Sequence, residues 1–107
     1  MSVVVRDNPP ESRYEIYDGD RLAGFSTYTL STTRIAFAHT EIAPPFSGRG
    51  LATQLVAEEL DDARRRGLAA LPFCPFVRQF IAENPGYADL VPEKDRQRFG
   101  LTEEVAD

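Results

Sequence analysis

Two glycines bracket an arginine at Gly48-Arg49-Gly50, between a Pro44-Pro45 pair and a segment of helical period that begins at Leu51. Glycine lets backbone approach a ligand closely, and the first N–H groups of a helix point back into such a loop with the positive end of the dipole behind them. That arrangement suits an anion such as a pyrophosphate. The local charge agrees, because Arg49 is the only charged residue between Glu41 and Glu58 in a chain of net charge −5. The same glycines would equally serve a plain tight turn. A second candidate is Cys74, which ends an apolar run and precedes Pro75, a residue suited to the first helical position. A thiolate ahead of a helix N-terminus is stabilised and its pKa lowered; the residue also reads as a small buried hydrophobe at a strand end.

Other chemistry lacks its residues. One Cys and one His, Cys74 and His39, exclude an intrachain disulfide and a four-ligand Cys/His zinc site, and no metal is expected. Lysine occurs only at Lys94, so a Schiff-base lysine and a Gly-Lys-Thr phosphate loop have no candidate. With 12 Lys and Arg against 17 Asp and Glu, the surface repels nucleic-acid phosphate and anionic lipid. No apolar run approaches the roughly 20 residues of a membrane helix, and the start of the chain is too short for a signal-peptide core. These features lead to the expectation of a cytoplasmic protein without nucleic-acid or membrane partners. The 107 residues suit one domain over residues 1–107, and 42% hydrophobic residues with seven Phe and four Tyr suffice for its core.

The elements that must position these residues are legible in the periodicity. Residues 13–17 alternate, Asp18-Gly19-Asp20 makes a turn, and residues 22–30 return as a strand rich in Thr, Tyr and Phe. A third strand spans 34–42, where strict alternation places Ile35, Phe37, His39 and Glu41 on one face. Leu51, Ala52, Leu55, Val56, Leu60 and Ala63 form a helical stripe, with Asp61/Arg65 and Asp62/Arg66 as i,i+4 pairs and Gly67 at the C′ position. Residues 68–73 suit a buried strand parallel to 34–42, with the helix as crossover. A second helix is predicted over 76–83, stopped by Asn84-Pro85-Gly86, then a short strand over 87–91 and a charged helical or flexible tail over 92–107. The fold class is α/β with a mixed sheet: an antiparallel meander, a β-α-β crossover and a second helix.

Gly48-Arg49-Gly50-Leu51-Ala52, placed between a strand and an amphipathic helix, resembles the acyl-CoA pyrophosphate loop of the GNAT acetyltransferase superfamily, whose pattern is Gln/Arg-x-x-Gly-x-Gly/Ala. Gly50 and Ala52 match, and Ser47 stands where Gln or Arg is usual. His39-Thr40-Glu41, Cys74-Pro75-Phe76-Val77-Arg78 and Asn84-Pro85-Gly86-Tyr87 are similar to the short, single-domain, YjdJ-type branch, so the resemblance spans about residues 34–91. It implies acetyl-CoA as cosubstrate and transfer of the acetyl group to an amine, on a small molecule or a peptide. The alternative is a CoA-binding or protein-interaction module with little catalysis.

By resemblance, the backbone of residues 40–43, with Thr40, Ile42 and Ala43, would hold the pantetheine arm. Ser47, Gly48, Arg49, Gly50, Leu51, Ala52 and Thr53 would cradle the phosphates. Amine acylation needs a base for the amine, donors for the oxyanion and an acid for the leaving thiolate. Glu41 and His39 are the base candidates. The usual family acid is a tyrosine four residues before a Gly-Phe dipeptide; with Gly86-Tyr87 in that place the position is Ala82, so the tyrosine is missing. Cys74 is then the candidate to protonate the thiolate or to take the acetyl group itself. Arg78, near a positive helix end, would be explained by a cofactor phosphate or by a carboxylate such as Glu41. Phe80 and Asn84 are candidates to touch the adenosine end. A monomer is expected.

Overall fold

The computed structural model describes residues 2–101. Its five-stranded sheet runs in the order β1-β2-β3-β4-β5, with β1 Val3–Asn8, β2 Arg13–Asp18, β3 Arg21–Leu30, β4 Arg34–Ile42 and β5 Ala69–Pro72. Neighbouring strands are antiparallel except β4 and β5, which are parallel. Helix α1 (Leu51–Arg65) makes the crossover between them, α2 (Pro75–Glu83) follows β5, and α3 (Glu93–Arg96) comes last. The mixed α/β architecture read from the periodicity is the one observed.

Local chemistry explains each boundary. Gly19 turns the β2/β3 hairpin at φ 66. Pro44 and Pro45 end β4 in a single 3-10 turn, Pro44–Phe46. Helix α1 begins after Gly50, whose carbonyl accepts the first intrahelical hydrogen bond from Gln54 N–H. It ends in a Schellman arrangement: Gly67 N–H bonds to the Arg64 carbonyl, and Leu68 N–H bonds to the Ala63 carbonyl, with Leu68 buried. The apolar stripe of α1 packs on one face of the sheet, and Val77, Phe80 and Ile81 of α2 join the same core around Ile35 and Phe37. Among the described residues the opposite face of the sheet carries no helix. It holds a lattice of side chains in which Asn8, Arg13 and Tyr17 hydrogen-bond Glu15, while Arg13 lies over Phe25.

Four expectations change, and the tail takes the helical of its two expected forms. A strand precedes the expected first one: the valines of β1 pair with β2 along its length. The strand expected over 87–91 is a 3-10 helix, Pro85–Leu90, started by Pro85 and tied to α1 by Tyr87 O–H to Asp61 and by Arg64 to Asp89 and the Gly86 carbonyl. Arg65 pairs with Asp62 rather than Asp61, since Asp61 accepts from Tyr87. In the tail, α3 is helical, with Phe99 and Leu101 buried; residues 102–107 lie outside the described ones. Most consequential is β4. Its register against β3 shifts between Thr27 and Tyr28, so that Thr27 faces His39 while Tyr28 faces Phe37, and Ala38 is the extra residue of a bulge. His39 and Glu41 therefore lie on the open face, opposite Ile35 and Phe37, and Thr40 lies on the helix face.

Candidate functional site

The parallel ladder is shorter than β4. Arg34, Ile35, Ala36 and Phe37 pair with β5 residues 69–72, and there it stops, because Pro72 has no N–H to extend it. One more contact follows, from Cys74 N–H to the Phe37 carbonyl at 2.9 Å. Beyond it β4 continues to Ile42 with β3 on one side and, among the described residues, no strand on the other. The sequence thus builds an open strand edge along residues 38–42, with Cys74 at its head and the Gly48–Gly50 loop past its far end. Ala43 N–H bonds to the Ala23 carbonyl at 2.8 Å, so the backbone there is tied toward β3.

In the loop, Gly48 and Gly50 adopt φ 79 and φ 76, where L side chains are strained, and beyond the adjoining residues no atom lies within 4 Å of the position a Cβ would take at either. The loop is open on that side. Helix α1 has no side-chain cap and no acidic residue in its first turn. These are the features an anion needs at a helix N-terminus, and the residues present fit a pyrophosphate. Leu51 is buried, Ala52 half-buried and Thr53 exposed. The Ser47 hydroxyl donates to the Pro44 carbonyl, and Arg49 is paired with Asp18 at 2.9 Å and lies over Phe46. The Arg49 guanidinium, the charged group of the loop, thus already has an acidic partner.

Two groups of polar side chains flank the open edge from opposite faces of β4. On the open face, His39 Nε2 lies 3.1 Å from Glu41 Oε1, both side chains more than half exposed, with the Phe25 ring beside the imidazole. On the helix face, Thr40 Oγ1 lies 3.4 Å from Cys74 Sγ and donates to Ser26 Oγ at 3.4 Å. Cys74 is 3% exposed and is the N-cap residue of α2, as its place before Pro75 predicts. The structure therefore brings His39 to Glu41 and Cys74 to Thr40, and it separates the two pairs by the thickness of the strand.

The remaining candidates are more dispersed. Glu41 accepts from His39 rather than from Arg78, whose guanidinium donates to the Phe73 carbonyl at 3.4 Å with its Nε buried and unpartnered. Phe80 is a core residue with its ring against Tyr87, and the Asn84 amide closes the last turn of α2 on the Phe80 carbonyl. Among the described residues no cluster of His, Cys, Asp and Glu could hold a metal ion, and no helix is long and apolar enough to cross a membrane. A cavity of about 350 Å³ lies instead between β1, β2 and the second half of α1, lined by Asp7, Asp61 and Asp62; no residue of the loop or open edge reaches it.

Sequence reasoning missed Glu59. It sits within the apolar stripe of α1, is fully buried, and neither carboxyl oxygen makes a hydrogen bond of good geometry. Burial pushes its carboxyl well above the ordinary carboxylate range, opposed by the Ser26 hydroxyl and reinforced by Cys74. The signal was present in the spacing, since position 59 falls between Val56 and Ala63 on the stripe. Glu15 behaves oppositely: burial works against its charge, but hydrogen bonds from Asn8, Arg13 and Tyr17 outweigh it and hold the carboxyl below its usual value.

A search of curated protein sequences returns no match. A family profile described as GCN5-related N-acetyl-transferase matches residues 13–90, from β2 through the 3-10 helix after α2. The chain belongs to that GCN5-related N-acetyltransferase family.

Proposed function

We propose that, as a member of this acetyltransferase family, the chain moves an acetyl group from acetyl-CoA to an amine at the open edge of β4. The observation that carries the reading is the parting of β4 and β5 after Phe37 and Pro72, between an uncapped helix N-terminus and a buried cysteine. When bound, acetyl-CoA supplies an activated thioester carbonyl. The N–H groups opening α1 and the backbone of Gly48 and Gly50 hold its pyrophosphate, and the free edge of β4 hydrogen-bonds the pantetheine arm. His39 and Glu41, exposed on the open face, accept the amine proton. Cys74, on the other face, gives its proton to the departing thiolate. Acid and base thus attend one carbonyl from opposite sides of a strand, each within reach of its own partner.

Thermal-shift titration with acetyl-CoA, against ATP and NAD, tests the binding half. At a hundredfold excess over the dissociation constant a native-state ligand adds about 2.7 kcal/mol, on the order of 10 °C for a domain of this size. Release of free CoA with a panel of amines tests the chemistry, and Cys74→Ala lowers turnover strongly while acetyl-CoA affinity stays within a few fold. A shift with no turnover on any amine would leave a CoA-binding module. No shift at millimolar acetyl-CoA would remove the reading altogether.

A further inference from the structure

Glu59 is the group in this fold with least reason to be where it is. It is fully buried on α1, and neither carboxyl oxygen has a hydrogen-bond partner among the described residues. Its surroundings are specific all the same. The polar group that acts on it is the Ser26 hydroxyl of β3, itself fully buried, and the titratable group that acts on it is Cys74. From Ser26 Oγ to Thr40 Oγ1 is 3.4 Å, and from Thr40 Oγ1 to Cys74 Sγ is again 3.4 Å. The other titratable side chains on the helix face of the sheet are engaged elsewhere. Tyr14 of β2 donates to Asp62, Tyr28 of β3 donates to Asp7, and α2 sends Arg78 to the Phe73 carbonyl. An acid, two hydroxyls and a thiol thus form a line from the middle of the helix–sheet interface to the open edge of β4.

We propose that Glu59 is a positioning residue for Cys74: the carboxyl, Ser26, Thr40 and Cys74 make one proton-sharing chain that resupplies Cys74 Sγ after its own proton has left. The inference rests on the reading of Cys74 as the acid for the departing thiolate. In that step the bond from the acceptor nitrogen to the acetyl carbon forms, the C–S bond breaks, and the CoA sulfur takes the Cys74 proton. Thr40 then donates to the thiolate, Ser26 to Thr40 and the Glu59 acid to Ser26, so that one carboxylate replaces one thiolate. At rest both ends are neutral: Cys74 donates to Thr40, Thr40 donates to Ser26, and the buried Glu59 carboxyl keeps its proton. Once the Cys74 proton has left, each hydroxyl gives one proton and takes one, so that the single negative charge passes from the thiolate to the carboxylate. Uptake of one proton from water at the open edge restores the resting state.

The chain has a single cysteine, so thiol chemistry reports on this site alone. The experiment compares the full-length wild type with Glu59→Gln and Ser26→Ala. It reads the rate of Cys74 alkylation by iodoacetamide as a function of pH, by intact mass, and kcat and KM with acetyl-CoA and an accepted amine. A proton shared along the chain makes the alkylation rate of the wild type rise over a wider pH range than that of either variant. In Glu59→Gln the rise collapses to one step, displaced by about one pH unit or more. In both variants kcat falls at least about tenfold while KM for acetyl-CoA stays within twofold. Superimposable alkylation curves overturn the inference whatever the turnover. Displaced curves with unchanged kcat overturn the resupply of the proton during catalysis. Displaced curves with no turnover in any protein sink the acetyltransferase reading and leave the proton-sharing chain standing.

Discussion

Replacing Glu59 with Gln makes the fold more resistant to rising pH, and the size of the effect follows from one group. Burial holds the Glu59 carboxyl well above its ordinary value of 4.5, so in the folded chain it keeps its proton where the unfolded chain has lost it. Below 4.5 both states are protonated and the residue contributes no pH dependence. Above it the unfolded state gains by ionising, and wild-type stability falls by about 1.4 kcal/mol per pH unit until the folded carboxyl ionises too. Between pH 5 and pH 7 that is about 2.7 kcal/mol, provided the folded group stays neutral throughout. A buried Gln amide carries its own desolvation cost of about 1–3 kcal/mol, but this cost does not vary with pH. The slope of the difference between the two proteins is therefore the diagnostic quantity, and every other titrating group cancels from it. Urea unfolding followed by far-ultraviolet circular dichroism at pH 5, 6, 7 and 8 measures it. With an m-value of about 1–3 kcal/mol/M, the wild-type midpoint should fall relative to the variant by roughly 1 M or more between pH 5 and 7. Parallel stability curves across that range would refute the reasoning, because they would mean that Glu59 titrates in the fold as it does in water.

Three further substitutions test the site and its frame. Gly50→Glu places a side chain at φ 76, costing about 1–2 kcal/mol of strain, and a carboxylate beside the helix N-terminus; the protein stays folded by circular dichroism and loses its acetyl-CoA thermal shift. A retained shift would move the phosphate elsewhere. Gly24→Ala puts a Cβ within 2.5 Å of the Glu41 carbonyl oxygen and of Ile42 Cδ1, so β3 and β4 must move apart beside the open edge. A loss of about 1–3 kcal/mol is expected, together with weaker acetyl-CoA binding. Tyr14→Phe removes the hydroxyl that donates to Asp62 and meets Arg66 at 3.2 Å, tying the end of α1 to β2. Stability falls by about 1.5–3 kcal/mol with acetyl-CoA turnover unchanged, as unfolding curves and initial rates will show.

Most of the frame was legible because it rests on local signals. The DGD turn, the Pro44-Pro45 stop, the α1 stripe with Gly67 behind it and Pro75 at the start of α2 each dictate structure within a few residues. What escaped depends on contacts distant in sequence. The valines of β1 become a strand because β2 offers a partner edge, and residues 85–90 become a 3-10 helix because Asp61 and Arg64 of α1 capture Tyr87, Gly86 and Asp89. The loop glycines and Cys74 could be singled out by type. Glu59 could not, because a carboxylate on a helix reads as solvent-facing until the stripe is counted through it.

The bulge at Ala38 shows why the candidate site could not be assembled by alternation alone. Without it, His39 and Glu41 would follow Ile35 and Phe37 into the core, where no partner for two ionisable groups exists. Thr40 would then face the open side, away from Ser26 and Cys74. One extra residue in β4 reverses all three. It sets the His39–Glu41 pair in water, where the proposed amine substrate would lose its proton, and it turns the Thr40 hydroxyl toward the buried thiol. The bulge falls at the end of the parallel ladder, since Phe37 is the last residue of β4 to pair with β5. The strand changes face where it loses its neighbour. The same short stretch of backbone therefore opens the edge on which the cosubstrate would lie and distributes the two polar pairs to its opposite sides. Deleting Ala38 should therefore keep Thr27 opposite His39 and leave His39 on the open face and Thr40 toward Cys74, so that initial rates with acetyl-CoA survive; their loss would show that the bulge itself is needed at the site.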